Sequence, residues 1–296
     1  MKKKNNSSIE NIVQLRGLFL QAKTVVEGFM IGLHKSPYHG FSVEFSEHRP
    51  YIAGDDIKHI DWQVYGRTDR YYIKQFQEET NLISYILLDN SRSMGFSSGK
   101  INKFKYSSLL AASLIYMLTK QNDATGLTIF NEKIEKLFPP KAVSSYTKLL
   151  MKELQKTKCK GETNVGLALH QIAEKLNKKG LVILISDLWD DPKLILNGIK
   201  HFRYLGHEVI IFHIWDSMEF TLREDKKVEF VDLESDEKIK LDVRQMKDEY
   251  KKLTEQYSEK LKRFCGENNV DYNLITTDTD LRYALMKYLI KRNKLY

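Results

Sequence analysis

The chain is poor in the residues that build small staples and flexible linkers. It has two cysteines in 296 residues, and Cys159 and Cys265 have no CxxC partner or nearby histidine to complete a zinc site. Both are expected to be free thiols. With only 5 prolines and 15 glycines there is no Pro- or Gly-rich linker, and no internal repeat is visible. Long apolar runs are missing too. "YILLD", "LVILIS" and "HEVIIFHIW" are strand-sized and fall short of the roughly 18 residues of a membrane span. The opening "MKKKNNSSIENIV" lacks the apolar centre and cleavage site of a secretory signal, so a cytoplasmic location is expected. No P-loop, GxGxxG fingerprint or GxSxG elbow occurs, which disfavours ATP hydrolysis, hydride transfer and serine hydrolase chemistry.

What is present is a globular composition, 42% hydrophobic and 29% charged. The 47 Lys and Arg outnumber the 39 Asp and Glu for a net +8, yet the signs alternate along most helical stretches. Only "MKKK" and "IKRNK" are basic blocks. Without an aromatic-interleaved basic motif, no nucleic-acid partner is expected. Contact of the basic N-terminal tail with acidic partners or membrane headgroups stays open.

From residue 82 onward, strand-like apolar runs alternate with helical periodicity. "LISYILLD", "ATGLTIF", "GLVILISD", "HEVIIFHIWD" and "YNLITT" read as strands, and "KIEKLF" as a hairpin partner of "ATGLTIF". Strands this apolar, separated by helices, predict an α/β fold with a doubly wound, mostly parallel sheet covered on both faces. "KKVEFVDLESDEKIKLD", residues 226 to 242, alternates apolar and charged residues around an acidic turn and predicts an inserted β-hairpin, followed by a long helix. Residues 1–80 differ: a helical stretch precedes a segment rich in Arg, His, Asp and aromatics. They are read as an extension packed on the core formed by residues 81–296.

The stretch "YILLDNSRSM" sets Asp89, Ser91 and Ser93 just beyond the carboxyl end of a buried strand, where open α/β sheets bind ligands. Short oxygen donors suit a hard dication such as magnesium, but one carboxylate and two hydroxyls leave its shell unfinished. Thr163 in "GETNVGLAL" and Asp187 at the end of "ILISD" could complete it. Alone, Asp-x-Ser-x-Ser is equally the pattern of a helix cap. Together the five residues resemble the metal-ion-dependent adhesion site of von Willebrand factor A domains, and the chain from about residue 80 resembles that family throughout. The resemblance implies Mg2+ or Mn2+ held by Asp89, Ser91, Ser93, Thr163 and Asp187. The family pattern has Gly after its last Asp, where this chain has Leu188 and Trp189. A centre with only two carboxylates stays electrophilic, with an open position that a partner's acidic side chain can fill. No His or Glu in the sequence is evidently placed as a general base, which favours recognition over hydrolysis.

A second signature spans "VEFSEHRPYIAGDDIKHIDWQVYGRTDRYYIKQFQEET". Glu44, Phe45, Arg49, Tyr51, Gly54, Asp55, Asp56, Ile60, Asp61, Trp62, Arg67, Thr68 and Glu79 resemble landmarks of the bacterial and archaeal domain-of-unknown-function family fifty-eight (DUF58), with Lys58 where Arg is common. That resemblance covers almost the whole chain. It implies a partner class, MoxR-type AAA+ ATPases, and a role in assembling or activating a client protein, without giving a reaction. Within "GDDIKHID", Asp55, Asp56, His59 and Asp61 allow two readings. One is a catalytic metal centre of a phosphoesterase or nuclease. The other, which the neighbouring Arg49 and Arg67 favour, is a buried polar knot tying the extension to the core. Trp62 and Tyr51 are expected to pack, and His34, His39 and His48 have no metal-ligand spacing.

Overall fold

A computed structural model of the chain describes residues 17–34, 48–51, 62–74, 82–162, 164–221, 227–231 and 238–293. Its centre is a six-stranded sheet. In chain order the strands are β3 (Ile83–Asp89), β4 (Ala124–Phe130), β5 (Ile134–Lys141), β6 (Leu181–Ser186), β7 (Glu208–Trp215) and β10 (Asp271–Thr276). They lie side by side in the order β10-β7-β6-β3-β4-β5. All neighbours are parallel except β4 and β5, which form the expected hairpin. Counted from the first core strand, this is the 3-2-1-4-5-6 order of doubly wound sheets, whose switch point lies between β3 and β6. The expected fold class is borne out.

The apolar strands alternate their side chains between two helical layers. Ile86 and Leu88 face a cluster shared with α1 (Leu18–His34), α3 (Lys103–Lys120), α4 (Ser144–Lys156) and α9 (Leu281–Asn293). Tyr85 and Leu87 face the opposite layer, built from α5 (Val165–Lys175), α6 (Pro192–Tyr204) and α8 (Val243–Glu267). Ala22, Val25, Val26 and Phe29 of α1 are buried in the first cluster, so this helix shares the core of the sheet. No described helix is long and apolar enough to cross a membrane.

Outside the sheet, β1 (His48–Pro50) pairs antiparallel with β2 (Tyr72–Lys74) around the short α2 (Trp62–Thr68). Here Tyr71 stacks on Tyr65 at 4.5 Å, and Trp62, which is exposed, meets Tyr65 edge-on. The expected inserted hairpin is also present. β8 (Lys227–Val231) pairs with β9 (Lys238–Asp242), and the hairpin follows a short helix, α7 (Ser217–Thr221).

Local chemistry ends the helices where the sequence suggests. Asn102, Asn164 and Asp191 cap α3, α5 and α6 with side-chain oxygens, and Pro192 opens α6. Gly206 closes α6 at φ 82°, a left-handed conformation that favours glycine. α5 and α6 approach through Gly166 and Gly198. A methyl on Gly166 would lie 2.4 Å from Leu194 Cβ, and one on Gly198 2.7 Å from Leu169 Cβ. By contrast, nothing lies within 4 Å of such a methyl at Gly28 in α1. Gly166→Ala is therefore expected to destabilise the protein by about 1–3 kcal/mol through overpacking. Gly28→Ala is expected to stabilise it by about 0.5–1 kcal/mol through helix propensity. Urea midpoints of the two variants against wild type check both signs.

Candidate metal centre

Two loops leave the carboxyl edge of the sheet at its switch point, after β3 and after β6, and the loop joining α4 to α5 meets them there. Asp89 ends β3 and is completely buried. One carboxylate oxygen accepts the Ser91 amide at 2.8 Å, and the other accepts the Ser186 hydroxyl at 2.6 Å. These bonds fold the chain back so that the Ser91 and Ser93 hydroxyls stand 3.0 Å apart. Asp187, one residue beyond β6, is equally buried, and its carboxylate lies near enough to Asp89 for their charges to interact. Four of the five expected ligands, Asp89, Ser91, Ser93 and Asp187, are thus gathered at one edge.

Thr163 lies outside the described residues, but the chain on both sides of it is tied to this edge. Asn90 accepts the Lys160 amide and donates to the Lys158 carbonyl, and the Arg92 amide donates to the Gly161 carbonyl. After the gap, the Gly166 amide donates to Asp190 at 3.0 Å. The loop is therefore laid between the other two.

The charge balance is uneven. Lys103, at the start of α3, has a side chain only 3% exposed, and its ammonium lies 2.8 Å from both Asp187 and Glu219. Burial opposes that charge, but Asp187 and Glu219 outweigh it and raise the Lys103 pKa. Lys103 bonds Oδ2 of Asp187; Oδ1 is buried with no hydrogen-bond partner among the described residues. Among the described residues Asp89 has no ion pair, and burial followed by the charge of Asp187 pushes it up to about 7. The partly buried Cys159 thiol is pushed up to about 12 by burial and then by Asp89 and Asp187, which keeps it protonated and poorly nucleophilic.

This arrangement fits a hard dication. Bonds of about 2.1 Å in an octahedral shell set neighbouring oxygens roughly 3.0 Å apart, the spacing of the two serine hydroxyls, and the orphaned Asp187 oxygen calls for a positive partner. Among the described residues no three of His, Cys, Asp and Glu converge, so a dication would rest here on hydroxyls and few carboxylates.

The floor is aromatic and neutral. His213 Nε2 lies 2.7 Å from the Asp187 carbonyl and Nδ1 2.6 Å from the Tyr272 hydroxyl, and burial lowers its pKa to about 4. Leu188 stands where the resembling pattern has Gly, and it holds φ 50°, the left-handed region glycine adopts freely. A fully buried side chain, its amide bonded to Ser186 Oγ and its carbonyl accepting from Tyr257 at 2.5 Å hold it there. Trp189 stands exposed, its ring edge-on to Trp215.

Sequence reasoning did not find Lys103, Glu219, His213 or Asp216. Asp216 accepts the Ser98 amide and hydroxyl and the Met218 amide, joining the loop after Ser93 to the end of β7. Of the second cluster, Asp55, Asp56, His59 and Asp61 lie outside the described residues; Arg67 ends α2 and is exposed.

Two outcomes follow. Native Asp89 binds its proton more tightly than the unfolded chain does. Its contribution to stability is full below about pH 4 and is lost as pH rises toward 7. His213, with its lowered pKa, loses stability in the opposite direction over much of the same window. In metal-free protein, Asp89→Asn should therefore gain on wild type by on the order of a few kcal/mol between pH 4 and 7, measured by urea unfolding at stepped pH. Lys103→Met strands a buried carboxylate and should cost about 3–5 kcal/mol at pH 7. Pairing it with Asp187→Asn should recover part of that loss.

An aerotolerance-related membrane protein from Bacteroides fragilis superposes with a TM-score of 0.50 at 16% identity, covering 71% of this chain and 99% of that one. The conserved hypothetical protein BatB from Bacteroides thetaiotaomicron gives a TM-score of 0.49 at 13% identity, over 73% of this chain and all of that one. The uncharacterized protein Rv1480 of Mycobacterium tuberculosis is 22% identical over 226 residues, 75% of this chain and 70% of that protein. The family described as protein of unknown function DUF58 matches residues 47–260, and the chain, with its von Willebrand A-like fold, belongs to that family.

Proposed function

We propose that the chain is a non-catalytic interaction module of the cytoplasm whose strand-tip centre holds Mg2+ or Mn2+ through Asp89, Ser91, Ser93, Thr163 and Asp187. On this reading the ion keeps one position open for an acidic side chain of a partner. The observation that carries the proposal is the buried Asp187 Oδ1, which has no hydrogen-bond partner among the described residues, beside the second buried carboxylate of Asp89, whose charge interaction is with Asp187. A bound dication would supply the missing positive charge and a Lewis-acidic position. The partner class, a MoxR-type AAA+ ATPase acting on a client protein, rests on the family resemblance alone.

Recognition is favoured over hydrolysis because the basic groups near the centre are committed elsewhere. Both His213 nitrogens are engaged, by the Asp187 carbonyl and the Tyr272 hydroxyl. Glu219 is held by Lys103 and accepts the Asp216 amide. The two His213 nitrogens and both Glu219 oxygens are thus already tied to groups of the fold, which leaves neither poised as the general base that hydrolysis requires.

Calorimetric titration of magnesium and manganese into wild type and Asp89→Ala tests the centre, with circular dichroism checking the fold of each. Saturable binding in wild type, weakened at least tenfold in the variant, is expected; equal titrations in both would overturn the proposal. Capture of a MoxR-type ATPase by immobilised wild-type protein should then fall when EDTA is added and recover with excess magnesium. Capture indifferent to EDTA would remove the metal from the interface.

A further inference from the structure

On the side of the sheet away from α1, the paired helices α5 and α6 carry His170 and His201 against each other. Their Nδ1 atoms are 3.0 Å apart, with ring centroids at 5.0 Å and ring planes 48° apart. The helices cannot easily drift, because Gly166 and Gly198 bring them into backbone contact on the same seam. The two imidazoles are therefore presented by a rigid pair of elements, unlike two histidines on loops.

The spacing has a specific chemical meaning. A Zn–N bond is about 2.0–2.1 Å, so two nitrogens of one tetrahedral or octahedral shell stand roughly 2.9–3.4 Å apart. With the proton of each neutral ring on Nε2, both Nδ1 lone pairs point into the gap between the helices. The same gap can hold one shared proton or one metal ion.

The surroundings leave room for the rest of a coordination shell. An open depression of about 400 Å³ is lined by His170, Asn197, Lys200, His201 and Tyr204. Asn197, one helical turn before His201, lines the same depression. Among the described residues lining the depression, the lysine, Lys200, rests its ammonium over the Phe264 ring at 5.0 Å from the centroid, a cation–π contact.

We infer that His170 and His201 form a two-imidazole site for a borderline transition-metal dication of the zinc class, with water or an external carboxylate in the remaining positions. Imidazole nitrogen suits zinc, copper and nickel, whereas magnesium takes oxygen, so this site is chemically separate from the strand-tip centre. It also stands independently of the function proposed above. An ion here clamps α5, which begins beside Thr163, to α6, which follows Asp187.

Zinc titration by calorimetry on the full chain tests it, using wild type, His170→Gln, His201→Gln and Asp89→Ala. Binding is expected in wild type, at least tenfold weaker in each histidine variant and unchanged in Asp89→Ala. Electron paramagnetic resonance with one equivalent of Cu2+ should show two coupled imidazole nitrogens in wild type and one in either histidine variant. Zinc binding unchanged in both histidine variants, or lost in Asp89→Ala alone, would overturn the inference, as would no saturable binding in wild type.

Discussion

Everything at the strand-tip centre depends on the parallel register between β3 and β6. Leu88 stands opposite Ile185, so Asp89 ends its strand beside Ser186 and one step from Asp187. The Ser186 hydroxyl bonds Asp89 because of that register and no other. A slip of one residue would turn the apolar faces of β6 inside out and carry Ser186 away from Asp89. Close packing on both faces opposes the slip: residues 181–186 of β6 are all buried, and each apolar side chain is fitted into one of two different helical layers. The same apolar runs that build the core thereby fix two carboxylates side by side, at the place where the chain order reverses.

Burying these carboxylates is costly, and the surroundings compensate only in part. Lys103 neutralises Asp187 from one side and Glu219 with it. Hydrogen bonds from Ser91 and Ser186 support Asp89 without giving it a counter-charge. Beneath lies the chain of Trp215, His213 and Tyr272, which offers hydrogen bonds to the Asp187 backbone but no positive charge while His213 stays neutral. Excess negative charge over cation is therefore built into the site. Leu188 completes the picture from the backbone: a left-handed non-glycine residue costs about 1–2 kcal/mol, and complete burial of its side chain with the Tyr257 hydrogen bond offsets it.

Most of the sheet was legible because fully buried strands leave uninterrupted apolar runs bounded by polar caps. "GLVILISD" and "HEVIIFHIWD" could be little else, and the acidic turn in "FVDLESDEKIK" marked the inserted hairpin. Asp89, Ser91, Ser93 and Asp187 were legible because they sit at strand ends, where a change from apolar to polar is visible locally. Lys103 was not. In "INKFKYSSLL" a lysine opening a helix looks like any solvated charge, and only the fold carries it to a carboxylate 84 positions away. His213 was hidden for the opposite reason: inside "VIIFHIW" it occupies an inward position of a strand, where a histidine gives no local sign of its partners. The polar residues of "GDDIKHID" fall outside the described residues, so the choice between knot and catalytic cluster rests where the sequence left it.

Lys103 also gives the centre a direction of communication. Its ammonium bridges Asp187, at the tip of β6, to Glu219, in the helix that leads to the inserted hairpin. On the proposed reading, Asp187 would hold the dication while still paired with Lys103, so two cations would share one carboxylate and repel each other. That repulsion would weaken the hold on the ion. An acidic side chain supplied by a partner would add negative charge there and relieve the repulsion. Ion and partner would then bind more tightly together than either alone, which is the linkage expected of a centre that recognises a protein through a shared metal.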